Sequence, residues 1–315
     1  MTGYLVRRVL QAVVVMLIVS VIVFILLHAL PGGLVRAQLG PKASTFQVRQ
    51  LEATEGLLKP LPVQYLIWLV NLLKGNLGFS YHYNQTVASL LARYVPRTLL
   101  LAGISTVLAI GIAIPMGIWQ GFRRNRVDDH ILSASMLILY AMPAYLLGII
   151  GIIVLSLDFP LFPSTATNYG AGFGTDVAVL ILPIGTLMLG NITYYSRYMR
   201  SSVIDNLLED YVRTARAVGN APRRVLLNHV LRNSMSSTMT MIGLTLPYVL
   251  SGALIIEELF NFPGVGLLFW NATQTRDYPV LLGVVLIVTL AVVVGSLIAD
   301  LGYAILDPRV RYVRS

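Results

Sequence analysis

The chain has 315 residues, no cysteine, four histidines and a formal charge of +9. With 56% apolar residues, 12% charged residues and a mean hydropathy of +0.75, it lies outside the range of soluble domains. Disulfides, thiolate metal sites and cysteine nucleophiles are excluded by composition.

Six charge-free apolar runs order the chain: residues 9–35, 98–122, 131–157, 177–196, 233–256 and 278–299. Each reaches about 20 residues, the length that carries a helix across a hydrocarbon core roughly 30 Å thick. Backbone amides in lipid must be paired internally, so these runs predict an all-α membrane protein with six transmembrane helices. The first run is too long for a cleaved leader and has no A-x-A-like site after it, so it is expected to stay as an anchor.

All 23 Lys and Arg lie outside the runs. With the N-terminus inside, the inner segments hold 15 of them and the outer segments 8, seven of the eight in the long 36–97 region. Long loops count little in this rule, so both termini are predicted to be cytoplasmic. The expected organisation is a spanning helix over 1–35, an extracytoplasmic loop over 36–97, a five-helix domain over 98–307 containing an inner loop at 203–235, and a tail over 308–315. Within the outer loop, Leu61–Leu73 is too short to span. Val63, Leu66, Ile67 and Val70 recur at helical spacing beside Tyr65 and Trp68, which predicts a helix on the outer surface or packed on the spans.

The inner loop reads as helix, sharp turn, helix. Residues 203–218 place Asp205, Glu209 and Asp210 early and Arg213 and Arg216 late, the order that suits the helix dipole. Gly219 and Asn220 then read as a left-handed stop, and Pro222 as the first residue of the next helix. Thr214, Ala215, Ala217 and Gly219 are small, so another protein could approach the backbone there, beside the fixed charge of Arg216. A plain solvated basic loop has the same composition.

The stretches "TARAVG" and "PRRVLLNHVLRNSM" of this loop resemble the EAA loop in membrane subunits of ATP-binding-cassette (ABC) importers. Tyr211, Arg213, Thr214, Ala215, Arg216 and Ala217 match the form common in the dipeptide/oligopeptide permease branch, where Arg213 replaces a Glu of the general motif. "YLVRRVLQAVVVMLIVSVIVFILLHALPG" (residues 4–32), "FNFPGVGLLFWNATQTRDYPVLLG" (260–283) and "ADLGYAILDPRVRY" (299–312) resemble the same branch. This resemblance implies the transmembrane domain of a type I importer in the bacterial plasma membrane, carrying di- or oligopeptides. It implies a second homologous permease subunit, two cassette ATPase domains docked at Thr214, Ala215, Arg216, Ala217 and Gly219, and an extracytoplasmic substrate-binding protein. ATP and Mg would sit on the ATPase chains. Relatives of this fold also carry nickel complexes or glutathione, and nothing in the residues selects among these.

No G-x-x-x-x-G-K-[ST] motif precedes Lys42, Lys59 or Lys74, so phosphate-gripping chemistry is not expected of this chain, and "FPGVG" reads as a turn. A membrane hydrolase needs a nucleophile beside a base, yet His28, His82, His130 and His229 fall at run ends or in loops without a G-x-S-x-G. A channel or secondary transporter usually carries ionisable residues within its spans, and the six cores hold none; Asp300 sits at an inner edge. No catalytic or metal-ligating set is expected. Asn191, Thr193, Thr240 and Thr245 are candidates to line a pathway or to bond helix to helix. Glu257 and Glu258 are candidates to attract peptide amino groups or to cap and pack a loop.

Overall fold

The computed structural model describes residues 2–29, 35, 43–54 and 56–306, with side chains described outside 2–6, 27, 51, 236–237, 240, 243–252 and 299–306. Asp300, Thr240 and Thr245, and the 308–315 tail, therefore lie outside the described residues or side chains. The chain divides into two compact units, Met1–Thr98 with Pro263–Val293, and Leu99–Phe262 with Val294–Ser315.

In the first unit, α1 (Thr2–His28) carries the N-terminal apolar run. A short helix α2 (Thr45–Thr54) precedes α3 (Leu61–Leu73), which Pro62 opens in its first turn, where a missing N–H costs nothing. The face that α3 turns to α1 is polar and aromatic. Gln64 is its buried residue and bonds His28 Nε2 at 2.8 Å, and the Tyr65 hydroxyl lies 2.9 Å from Ser20 Oγ. Phe24 packs against Tyr65 and Trp68 with ring centroids 5.3 and 5.9 Å away. Val63, Leu66 and Val70 are exposed instead. An unpaired amide on α1's flank would be expensive in an apolar setting, so hydrogen bonding sets the face turned to α1 and leaves the apolar residues for a membrane surface. A hairpin of β1 (Phe79–Ser80) and β2 (Gln85–Thr86), antiparallel, follows. Ser80 Oγ donates to the Asp277 carboxylate between α11 (Val265–Thr275) and α12 (Tyr278–Leu306).

The second unit is built on α4 (Val87–Phe122), α5 (Val127–Ala141), α6 (Ala144–Ile152), α7 (Phe173–Leu207) and α10 (Leu231–Leu259). The 131–157 run, expected as one helix, is two. Met142 is extended (φ −82°, ψ 130°) before Pro143, whose ring disfavours helical angles in the preceding residue. The halves bend by 101°, and α6 ends in a wider π-helical turn at Ile153–Asp158. Among the described residues, α1, α4, α7 and α12 are long and apolar enough to cross a membrane, and the bent pair makes a fifth candidate. The 233–256 run lies inside the 29-residue α10.

Packing in this unit is layered along α7. Near its C-terminal end, Gly117 and Gly121 of α4 let the helices touch: an added Cβ would stand 2.7 Å from Met199 Cβ and from Val203 Cγ1, respectively. This is the small-residue contact that brings membrane helices together without a hydrophobic driving force. A middle layer joins Ala109, Ala113, Met136, Ile192 and Tyr195. A layer at the N-terminal end of α7 joins Leu101, Ala166, Val179, Leu180 and Phe262, where Ala166 N–H donates to Phe260 O at 2.7 Å. Asn261 adopts φ 50° just before "FPGVG", of which residues 262–264 form the expected non-helical stretch while Val265 and Gly266 already open α11.

Candidate functional site

The 203–235 loop is seated on the long helices by its apolar side chains and shows its polar ones. The helix expected over 203–218 is divided at Leu208–Glu209: residues up to Leu207 complete α7, and the loop's own helix is α8 (Asp210–Ala217). Glu209 occupies the extended position before α8 (φ −68°, ψ 149°). Asp210 lies in its first turn and Arg216 in its last, as the dipole favours. Val212 and Ala215, three residues apart on one face, are buried with Met199, Val203, Val225 and Val230. Tyr211 adds a hydrogen bond to Asn206 Oδ1 at 2.6 Å, tying α8 back to α7.

The turn after α8 is closed by backbone bonds. Asn220 N–H reaches Ala215 O at 3.2 Å and Gly219 N–H reaches Arg216 O at 2.9 Å, the paired bonds of a Schellman cap, with Gly219 at φ +86°. The Asn220 side-chain amide donates to Ala215 O as well, at 3.0 Å. A two-residue step leads to α9 (Pro222–Val225), with Pro222 in the first helical position as expected. A π-helical turn over Leu226–Val230 then joins α10.

Four of the five residues singled out from sequence, Thr214, Arg216, Ala217 and Gly219, are exposed at this tip. Ala215 is not; it faces the loop's own seat and is 8% exposed. Val218, unremarked in the sequence, is 78% exposed between them. Arg213, Arg223 and Arg224 are also exposed, giving the tip a positive border. The Arg213–Asp210 contact at 3.4 Å is an exposed pair, worth little in water. The tip offers a small-residue surface with one apolar side chain and a basic rim.

Four of the six candidate pathway residues have described side chains. Thr193 is buried and donates to Gly190 O of its own helix at 2.7 Å, so its hydroxyl is committed locally. Asn191 and Glu258 are half-buried, and Glu257 is fully buried in the last turn of α10. The Thr240 and Thr245 side chains are outside the described ones.

One polar cluster escaped sequence reading. Asp129, 1% exposed at the start of α5, takes two bonds from Arg200 of α7, Nε to Oδ1 at 2.8 Å and Nη2 to Oδ2 at 2.7 Å. Asn125 N–H also donates to it, at 3.1 Å, and Ser133 Oγ lies 3.3 Å away. The bidentate fork fixes angle as well as distance between the two helices, one turn above the loop's seat at Val203. With 71 residues between the partners, no local pattern announces this pair.

Residues 113–312 match the family described as binding-protein-dependent transport system inner membrane component, and residues 1–102 match the N-terminal region described for such membrane components. The oligopeptide transport system permease protein AppB of Bacillus subtilis is 37% identical over 316 residues, covering 99% of this chain and 100% of its own length. The glutathione transport system permease protein GsiC of Salmonella choleraesuis is 34% identical over 313 residues, covering 99% and 100%. Among solved structures, an amino acid ABC transporter crystallised with histidines gives a TM-score of 0.51 at 14% identity. It covers 69% of this chain and 94% of that chain, a likeness of fold alone.

Proposed function

We propose, from the premise that this chain belongs to the family of binding-protein-dependent transport system inner membrane components, that it is the permease subunit of an ABC importer for di- and oligopeptides. It forms half of the translocation pathway through the plasma membrane and pairs with a second, homologous permease. Six spans, both termini cytoplasmic, put the 203–235 loop on the side of two cassette ATPase domains, and a substrate-binding protein delivers peptide to the 36–97 side. ATP and Mg are held by the ATPase chains. Glutathione, itself a tripeptide, falls in the same solute class, so the relative named for it leaves the reading unchanged.

The observation that carries this reading is the build of the inner loop. Its Val212, Ala215, Val225 and Val230 are locked into the spans while Thr214, Arg216, Ala217, Val218 and Gly219 face outward on a capped, rigid turn. Such a body moves with the spans when a partner moves it, which is what mechanical coupling requires. The test is enzymatic. The purified chain alone hydrolyses no ATP, and the complex with its ATPases and sister permease hydrolyses ATP faster when peptide-loaded binding protein is added. ATPase activity in the isolated chain, or no response of the complex to loaded binding protein, overturns the assignment.

A further inference from the structure

We infer that the cavity between α1, α3, the β1–β2 hairpin and the start of α12 is a lipid site, holding one acyl chain of a phospholipid. It lies wholly within the first unit and has a volume of about 340 Å³, at the lower end of the roughly 300–1,000 Å³ of ligand pockets. Its place in the bilayer follows from two spans. Phe24 lines it near the end of the apolar stretch Arg7–Leu26, and Pro279 and Leu282 line it at the start of the stretch Tyr278–Ile298. These stretches, of 20 and 21 residues, each have the length that crosses a hydrocarbon core. Both therefore end at one membrane surface, the one remote from Arg7 and Arg8, and the cavity sits where they end. Leu286, eight residues after Tyr278, also lines it, so the cavity follows α12 for about 12 Å into the core.

The helix α3 brings the membrane to this cavity. Val63, Leu66, Val70 and Leu73, three or four residues apart, form an exposed apolar stripe along it. The adjoining stripe, Gln64, Ile67, Trp68 and Asn71, lines the cavity. A helix of this kind lies along a bilayer with its apolar face among the acyl chains, so the cavity borders lipid and not bulk water.

The lining selects the occupant. Among the described residues no Asp, Glu, Lys or Arg lines the cavity, so the charged termini of a peptide would find no counter-charge there. Water is no better served. His28 and Gln64 already satisfy each other at 2.8 Å, and Gln64 Nε2 donates to Leu57 O and Lys59 O at 2.9 and 2.6 Å. Most of the remaining lining is aliphatic or aromatic, with Phe24, Ile67, Leu72, Phe79, Leu282 and Leu286 among it. Such walls hold water poorly, and leaving them empty forfeits packing, so hydrocarbon is the fitting content. Two donors remain for the polar end of the lipid. Among the described residues, neither the half-buried Trp68 indole N–H nor the Asn71 carboxamide has a hydrogen-bond partner. Both suit the ester carbonyls of a glycerol backbone, the level at which tryptophan sits in membrane interfaces.

The test is photochemical. The complete transporter, with ATPases, sister permease and binding protein, is placed in liposomes of phosphatidylethanolamine and phosphatidylglycerol. A phosphatidylethanolamine carrying a diazirine on one acyl chain is added in rising proportion, and after illumination the adducts on this chain are mapped by mass spectrometry. Adducts on Trp68 and Leu72 are expected to saturate, whereas those on Val21 and Ile25, on the exposed flank of α1, are expected to rise in proportion. Leu286→Trp and Ile67→Trp, which fill the cavity from α12 and from α3, are each expected to abolish the saturable adducts and leave those on α1 unchanged. No adduct in the cavity beside a labelled α1, a rise there in simple proportion, or adducts that survive both substitutions in folded protein overturns the proposal. Labelling of the cavity in the isolated chain but not in the complex overturns it as well, since a partner subunit then fills the space. If either substituted chain fails to fold, saturation in the unsubstituted complex decides. Peptide uptake is read in the same liposomes: its absence defeats the permease reading and leaves the lipid site standing, because that site depends on the bilayer and not on the solute.

Discussion

At Gly219 an added Cβ would meet open space, with no heavy atom within 4 Å, but the backbone φ is +86°. Substitution is therefore opposed by conformation and not by crowding. A β-branched residue there costs about 1–2 kcal/mol locally and places bulk on the face offered to a partner. Gly219→Val is expected to reach the membrane at normal abundance and pair with the sister permease, while peptide uptake and co-purified ATPase fall sharply. Gly219→Asn, which tolerates the left-handed region, is expected to retain more of both. Gly117 behaves in the opposite way. An added Cβ would stand 2.7 Å from the Ser196 carbonyl, a backbone atom that cannot step aside, so Gly117→Ala is expected to lower membrane abundance and Tm before it affects coupling. Normal uptake by Gly219→Val at normal abundance would reduce the loop to a basic tether. These two glycines also mark what single residues disclose. Gly219 was legible because the Gly-Asn-x-Pro run carries its own turn chemistry; Gly117 was not, because its meaning lies in a helix about 80 residues away.

Element boundaries were read well where local chemistry sets them and poorly where tertiary pairing does. Pro222 opens α9 and four of the six apolar runs lie inside single helices, but a charge count cannot see Pro143 divide the third run by 101°. Hydrophobic spacing found the helix of α3 but not the polar contact on its other face, where Gln64 and His28 satisfy each other. Residues 203–207 went to the loop helix because nothing local distinguishes them from it, although Val203 belongs to α7 and its layer. The Asp129–Arg200 pair makes the same point in energetic form. Removing one member of a buried, bidentate pair strands the other, at a cost of about 3–5 kcal/mol, whereas removing both charges costs less. Arg200→Gln and Asp129→Asn are each expected to lower the Tm of the purified complex, and the double variant to recover part of the loss. Losses that simply add would show that the fork does not hold α5 to α7.

Over the whole molecule, the distribution of charge predicts one orientation. The loop with the Schellman-capped tip, the Asp129–Arg200 fork and the Arg123–Asp128 pair at 2.8 Å belong to one end of the second unit, and the Ala166–Phe260 and Tyr169–Phe262 contacts to the other. The first end carries the excess of arginine that favours the cytoplasm. Ser44, before α2, and Ser201, late in α7, are both exposed, so a cysteine at either would be reachable without disturbing a core. Placed one at a time in this cysteine-free chain, Ser44→Cys is expected to react with an impermeant maleimide on intact cells, and Ser201→Cys only after the membrane is permeabilised. A hydrocarbon core roughly 30 Å thick separates the two positions in this orientation, so partial labelling of both from outside would point to leaky cells and not to an intermediate topology. The reverse pattern would put Thr214, Arg216, Ala217 and Gly219 outside, where no ATPase could engage them, and would end the coupling assignment whatever the family.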